Sequence, residues 1–196
     1  MNKDDVIAFF DEQASHWDAD MIRSDEVIQT ILNNANVHSG CRVLDVACGT
    51  GVLFGDYLAR GAAEITAIDI SPEMVKRARE KFPQQNVHIL CGDVETAALS
   101  GGYDCIMVYN AFPHFPDPEN LIRVLSALLA PGGTLSVAHG MSREKIDRHH
   151  EGSASLVSVG LMHEDRLAEL FSRHLQLLVK ISDDRMYQLV GKKLPD

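Results

Sequence analysis

Three carboxylates and a glycine turn are the residues of this chain whose spacing most directly suggests chemistry. Asp45 precedes the turn formed by Gly49 and Gly51, Asp69 ends the next apolar run, and Asp93 follows the third run. A carboxylate at the end of a strand suits hydrogen bonds from ribose hydroxyls, and one after the third run could accept a bond from an adenine amino group. These residues predict an adenosine site, although Asp45 could instead cap the amides of the turn.

The residues after the turn restrict what the rest of that ligand is. A phosphate-binding loop needs Gly-Lys followed by Ser or Thr, whereas Gly51 is followed by Val52 and Leu53. The dinucleotide fingerprint needs a third glycine or an alanine at position 54, and this chain has Phe54. The sequence therefore argues against a nucleoside triphosphate and disfavours an NAD-dependent oxidoreductase.

Histidines follow the fourth and fifth apolar runs. His114 comes after the fourth run, His139 ends the fifth as a strand-end residue, and His149 and His150 lie beside Glu151. A neutral imidazole is a suitable general base, and several imidazoles with a carboxylate could bind zinc or iron. Adjacent histidines do not easily point at one ion, and no HxH or HxxxH spacing occurs, so we predict no metal site.

The elements that must position these residues alternate between strand-like and helical patterns, which is typical of βαβ units and a parallel sheet. Consecutive apolar residues indicate that helices cover both faces of the sheet. The predicted strands are RVLDVA (42–47), EITAIDI (64–70), NVHIL (86–90), YDCIMVYN (103–110) and GTLSVAH (133–139).

Helix start signals lie before and between these strands. Ser71 and Asp117 each precede Pro-Glu, which predicts a capped helix start, and Ser24 could cap another helix. We expect one domain over residues 1–196. Its parts are an N-terminal helical cap (1–40), a cofactor-binding core (41–140), a segment without clear periodicity that could be a substrate lid (141–160), and a helix with a terminal antiparallel hairpin (161–196).

Composition narrows the classes of partner and the compartment. The net charge is -10, from 18 Lys and Arg against 28 Asp and Glu, which disfavours nucleic acid and anionic membranes. No signal peptide or apolar run long enough for a membrane span is visible, so we predict a cytoplasmic protein. The four cysteines form no CxxC pair, which favours buried, reduced thiols at Cys41, Cys48, Cys91 and Cys105.

The chain resembles the class I S-adenosylmethionine-dependent methyltransferases over nearly its whole length. The motifs in common are VLDVACGTG (43–51), IDIS (68–71), GDVE (92–95), YDCIMVYNAFPHF (103–115) and LLAPGGTLSVAH (128–139). FFDEQASHWD (9–18) is similar to the segment that closes over the cofactor in the ubiquinone- and menaquinone-biosynthesis branch. The resemblance implies a Rossmann-like fold with a mostly parallel seven-stranded sheet, and S-adenosyl-L-methionine as cofactor with S-adenosyl-L-homocysteine as product.

The resemblance also implies roles for individual residues. Asp69 would bind the ribose, Asp93 and Val94 the adenine edge, and Trp17 would cover the site. The remaining cofactor-binding residues implied are Asp45, Ala47, Cys48, Gly49, Gly51, Ile70, Met74, Asn110 and Ala111. Ala47 stands where the family has its first glycine, so we expect its backbone to be extended or helical and not left-handed.

The implied reaction is in-line transfer of a methyl group to a small-molecule acceptor. Candidate catalytic residues are His114 and, if residues 141–160 close as a lid, His149 and His150. The alternative is a protein that binds S-adenosylmethionine without methylating, such as a sensor, a partner subunit or an enzyme of other sulfonium chemistry. A metalloid methyltransferase is less favoured, because the cysteines belong to the scaffold.

Overall fold

The computed structural model describes residues 2–19, 21–150 and 156–195, without the side chains of His149 and His150. The helices of these residues are α1 (Lys3–Gln13), α2 (Asp25–Asn34), α3 (Phe54–Ala59), α4 (Pro72–Lys81), α5 (Pro118–Leu128), α6 (Arg143–His150) and α7 (Glu164–Ser172), with a 3-10 turn at Phe112–His114. The strands are β1 (Arg42–Val46), β2 (Glu64–Asp69), β3 (Val87–Cys91), β4 (Tyr103–Tyr109), β5 (Leu129–His139), β6 (Gln176–Ser182) and β7 (Tyr187–Lys192).

These strands form one sheet in the order β3-β2-β1-β4-β5-β7-β6. Strands β1 to β5 are parallel, and β7 is antiparallel to both β5 and β6. The predicted Rossmann-like sheet and terminal hairpin are therefore confirmed. The chain runs outward from β1 to β3 and then returns to place β4 on the other side of β1. The carboxyl ends of β1 and β4 thus form the topological switch point, where such sheets bind ligands.

Alternating residues of β1 show why both faces of the sheet are covered. Val43 belongs to one hydrophobic core with Ile31 of α2 and Tyr57 of α3, whereas Leu44 belongs to the core on the other face with Leu125 of α5. All five side chains are fully buried. Burial of one such aliphatic side chain contributes about 1.5–3 kcal/mol. The two cores hold the sheet as a fixed platform for the loops at its carboxyl edge.

The predicted helix starts are confirmed, with one difference in their capping. Ser71 Oγ accepts a hydrogen bond from the Met74 amide at 3.1 Å, and Asp117 Oδ1 accepts one from the Asn120 amide at 3.0 Å. Ser24 occupies the cap position of α2, but its side chain makes no capping bond there. The apolar face of α2 packs on the core and fixes this helix without that bond.

Predictions about one segment and one cysteine were wrong. The segment expected to be irregular contains α6, whose described side chains include a single buried one, Ile146, too little to produce a visible stripe. Residues 151–155, including Glu151, lie outside the described residues. Cys91 is exposed rather than buried, because β3 is an edge strand with its outer face uncovered, whereas the other three cysteines are buried and none forms a disulfide.

Candidate active site

A cavity of about 430 Å³ opens at the carboxyl ends of β1, β2 and β4. Its walls are the turns after β1, β2, β3 and β4, and part of its cover is the N-terminal segment that includes α1. The volume lies in the range typical of small-molecule sites. The sequence-predicted residues that line it are Trp17, Ala47, Cys48, Gly49, Asp69, Ile70, Met74, Asp93, Val94, Asn110, Ala111 and His114.

The turn after β1 is left-handed at three positions. Ala47 has φ +53°, Gly49 +55° and Gly51 +82°. The expectation for Ala47 was therefore wrong. The backbone is left-handed at the first residue after β1, even though that residue has a Cβ. This conformation costs a residue with a Cβ about 1–2 kcal/mol. A Cβ on Gly51 would lie 2.7 Å from the ring of Phe54, so this ring leaves no room for a side chain at position 51.

Asp69 joins the first two turns at the wall of the cavity. Its Oδ2 accepts a hydrogen bond from the Gly49 amide at 2.8 Å, and its Oδ1 accepts one from the Ser71 amide at 2.9 Å. The side chain is 7% exposed, and burial raises its pKa although both amide bonds oppose the rise. Each carboxylate oxygen has a second lone pair, so Asp69 can still accept hydrogen bonds from hydroxyl groups in the cavity.

Asp93 lies on the turn after β3 and is bound by a lysine of α1. Lys3 Nζ of α1 is 2.5 Å from Asp93 Oδ2 and 3.1 Å from a carboxylate oxygen of Glu95. The Glu95 amide donates to Asp93 Oδ1 at 3.0 Å. Lys3 and Glu95 also line the cavity, and neither was among the predicted site residues, although Glu95 belongs to the motif GDVE (92–95).

Asp45 and Gly51 are not among the residues that line the cavity. Asp45 is 2% exposed beneath the turn, and burial raises its pKa to about 8, with the charge of Asp69 adding to the rise. A carboxyl group with this pKa is mostly protonated at neutral pH. Buried away from the cavity, Asp45 is not placed to contact a ligand there.

The N-terminal segment is tied to the same turns by two carboxylates that sequence reasoning missed. Asp18 Oδ1 accepts a hydrogen bond from Thr50 Oγ1 at 2.5 Å, and Asp11 Oδ1 accepts one from Ser71 Oγ at 2.5 Å. Between them, Trp17 lies over the first turn, with its Nε1 3.8 Å from the position of a Cβ on Gly49. The acidic residues repeated in FFDEQASHWD (9–18) were the sequence signal that could have revealed these two contacts.

The end of the cavity farthest from Asp93 contains two histidines. His114 Nδ1 lies 2.6 Å from the Val157 carbonyl oxygen, and its ring packs edge-on against Phe10 with centroids 5.0 Å apart. His139 is buried at the end of β5 and contacts the Tyr187 ring edge-on. Tyr109 also lines this end, and burial raises the pKa of its hydroxyl.

Two further catalytic candidates were predicted after the fifth strand. His149 and His150 end α6, and their side chains lie outside the described part of the structure. Within that described part, no three His, Cys, Asp or Glu side chains come together in a way that could hold a metal ion. No helix of the described residues has both the length and the apolar character needed to cross a bilayer.

Comparisons with known proteins agree with this geometry. Residues 43–133 match the family model described as a methyltransferase domain. The ubiquinone biosynthesis O-methyltransferase of Xanthomonas campestris pv. campestris (strain B100) is 41% identical over 100 residues, which are 49% of this chain and 41% of that protein. The chain thus covers about two fifths of the length of this relative.

Two solved structures share the fold. A Haloferax volcanii protein described as a methyltransferase, in complex with the Trm112 methyltransferase activator, matches with a TM-score of 0.77 and 20% identity over 95% of this chain and 98% of that one. The N-methyltransferase NodS of Bradyrhizobium japonicum WM9, in complex with S-adenosylhomocysteine, matches with a TM-score of 0.76 and 15% identity over 97% and 98%. At these identities the likeness concerns the fold alone.

Proposed function

We propose that this chain, whose residues 43–133 match the methyltransferase-domain family model, transfers the methyl group of S-adenosylmethionine to a small-molecule acceptor. The observation that carries the proposal is one continuous cavity with two different ends. The turns after β2 and β3 line one end with carboxylates, and His114 and His139 line the other. The first end suits the cofactor, and the second offers a surface to an acceptor.

The residues of the turns have the donors and acceptors that the cofactor requires. Asp69 would accept hydrogen bonds from the ribose hydroxyls, and Asp93 would accept one from the adenine amino group. Val94 would offer its amide to the adenine ring. Ile70 and Met74 would pack on that ring, which is consistent with their place in the cavity wall.

The methionine part would lie along the turn after β1, beside Ala47, Cys48 and Gly49. Asn110 has φ +54°, a conformation that asparagine tolerates better than most residues. Its carbonyl and that of Ala111 would receive the methionine amino group. Trp17 would cover this part and limit the access of water.

The main task of the chain would be to position the cofactor and the acceptor. S-adenosylmethionine supplies a methyl group on a sulfonium, which becomes a neutral thioether when that group is lost. Alignment by the surrounding residues and exclusion of water can lower the barrier by several kcal/mol, up to about 7–11 in the best intramolecular cases. His114, and also His149 and His150, are the candidates for a general base.

Titration calorimetry tests the cofactor assignment. We expect S-adenosylhomocysteine to bind, NAD not to bind, and Asp69→Ala to weaken S-adenosylhomocysteine binding at least tenfold. Asp184→Ala, on the exposed turn before β7, is the matched control and should bind as the original chain does. Tighter binding of NAD than of S-adenosylhomocysteine would contradict the proposal.

Incubation with labelled S-adenosylmethionine and a panel of phenols, thiols, amines and quinols tests the reaction. We expect release of S-adenosylhomocysteine that depends on an acceptor. Binding without any such release would favour the alternative of a protein that binds the cofactor but does not methylate.

A further inference from the structure

Lys3 lies where α1 meets the turn after β3. It is the first residue of α1, and it lines the cavity together with Val6 of the same helix. Farther along α1, Asp11 accepts a hydrogen bond from the Glu73 amide at 3.2 Å as well as the one from Ser71. This second attachment fixes α1 along its length, so the fold itself determines the position of Lys3 beside the turn.

The local preferences of a helix do not favour a lysine at this position. The amino end of a helix carries a partial positive charge, which favours acids and disfavours cations there. Asp4 and Asp5 follow this rule, and the Asn2 side chain caps the helix by accepting a hydrogen bond from the Asp4 amide at 3.2 Å. Lys3 departs from the rule, and such departures are expected at functional sites. The contacts that compensate for the position of Lys3 lie outside α1.

Two carboxylates of the turn after β3 hold the ammonium of Lys3. Its Nζ lies 2.5 Å from Asp93 Oδ2 and 3.1 Å from Glu95 Oε2, and the other oxygen of Glu95 accepts a hydrogen bond from Asn120 Nδ2 at 2.7 Å. The hydrogen bond to Asp93 raises the pKa of Lys3, although burial acts in the opposite direction. The ammonium is therefore charged at neutral pH, and it joins two like charges that would otherwise repel each other within one turn.

These contacts give the carboxylate of Asp93 a fixed orientation. Oδ1 accepts a hydrogen bond from the Glu95 amide at 3.0 Å, and Oδ2 accepts one from Lys3. The carboxylate cannot rotate about its bond to Cβ without losing one of these bonds. Each oxygen has a second lone pair, and Asp93 lines the cavity, so the group can still accept a hydrogen bond from a ligand. An acceptor whose direction is fixed in advance binds a donor group more tightly and more selectively.

We propose that Lys3 is a positioning residue for cofactor recognition, whose ammonium holds Asp93 in the orientation that accepts a hydrogen bond from the adenine amino group. This inference rests on the proposed function, in which Asp93 meets that amino group. An ammonium only donates hydrogen bonds, so Lys3 cannot bind the amino group itself and acts through Asp93. Because Lys3 belongs to α1, the adenine contact is complete only while α1 lies over the cavity.

Calorimetry with two ligands tests this role. The ligands are S-adenosylhomocysteine and its analogue with purine in place of adenine, which lacks the amino group. We expect the original chain to bind the analogue about tenfold more weakly, because the hydrogen bond to a charged acceptor is lost. Lys3→Met should weaken binding of S-adenosylhomocysteine about fivefold, as for the loss of a partly exposed ion pair, and binding of the analogue less than about twofold.

Lys180→Met is the matched control for this measurement. Lys180 Nζ lies 2.6 Å from a carboxylate oxygen of Asp165, and its side chain is 44% exposed against 45% for Lys3, but Lys180 is not among the residues that line the cavity. Both ligands should bind to this variant as they do to the original chain. An equal weakening of both ligands by Lys3→Met would mean that Lys3 only fastens α1, and it would overturn the proposal. Unchanged binding of S-adenosylhomocysteine by Lys3→Met would also overturn it.

A double variant measures the coupling between Lys3 and Asp93 directly. Asp93→Ala removes the acceptor, so the addition of Lys3→Met to it should weaken binding of S-adenosylhomocysteine by less than about a further twofold. If the losses from the two single changes multiply instead, Lys3 acts independently of Asp93 and the inference is wrong. Equal binding of the two ligands by the original chain would likewise overturn the inference alone. Failure of the original chain to bind S-adenosylhomocysteine would instead count against the proposed function.

Discussion

Ala47 and Gly49 form a matched pair for testing strain in the turn after β1. They have nearly the same left-handed backbone, with φ +53° and +55°, but only the first has a Cβ. We expect Ala47→Gly to raise the free energy of unfolding and Gly49→Ala to lower it, because a Cβ in this conformation crowds the following carbonyl oxygen.

The magnitude follows from two opposing effects. Removing the Cβ from a left-handed residue relieves about 1–2 kcal/mol, while glycine loses about 0.5–1 kcal/mol more conformational freedom than alanine on folding. The net change is roughly 0.5–1 kcal/mol in favour of glycine at either position. At Gly49 the nearest atom to a new Cβ is Trp17 Nε1 at 3.8 Å, an ordinary contact that adds little. A change of about 1 kcal/mol corresponds to about 2–4 °C in Tm for a chain of this size.

Urea unfolding and thermal melts of the two variants, without ligand, measure this difference. Gly49→Ala shows whether the assay detects the backbone effect at all. If Ala47→Gly lowers stability by more than about 1 kcal/mol while Gly49→Ala also lowers it, the side chain of Ala47 matters mainly through packing. The reasoning from strain at Ala47 would then be refuted.

Three further predictions concern other contacts of the same region. Gly51→Ala should lower the Tm more than Gly49→Ala does, because its Cβ would meet the Phe54 ring at 2.7 Å; an equal effect would contradict the steric argument. Asp18→Asn should weaken S-adenosylhomocysteine binding in calorimetry by disturbing the bond to Thr50, and unchanged affinity would exclude a positioning role. Because the folded pKa of Asp45 is raised to about 8, the unfolded state loses this proton first, and its contribution to stability falls as pH rises from about 4 to 8. In urea unfolding, the free energy of unfolding of Asp45→Asn should therefore rise relative to that of the original chain, on the order of 1 kcal/mol per pH unit in that window. A difference between the two free energies that does not change with pH would refute the raised pKa.

Much of the fold could be predicted, because its strands are continuous β-branched runs and its central helices begin with recognisable caps such as Ser71 and Asp117. α6 could not, because a helix with one buried residue among its described side chains leaves no periodic pattern. The left-handed backbone of Ala47 was also beyond sequence reasoning. Alanine as a residue type disfavours a left-handed backbone. The path of the chain from β1 into the turn requires this conformation.

The two ends of the cavity also differ in how well they could be predicted from the sequence. Asp69, Asp93 and the glycine turn belong to short contiguous motifs, so most of the residues that line this end of the cavity could be predicted. The far end is assembled from residues distant in the chain, among them Met21, His139 and Ile146, whose types are equally common in any core. These three also lie outside residues 43–133, the range that matches the family model. Similarity to known methyltransferases therefore bears mainly on the end beside the glycine turn, and at the far end it reaches Tyr109 and His114 but not these three residues.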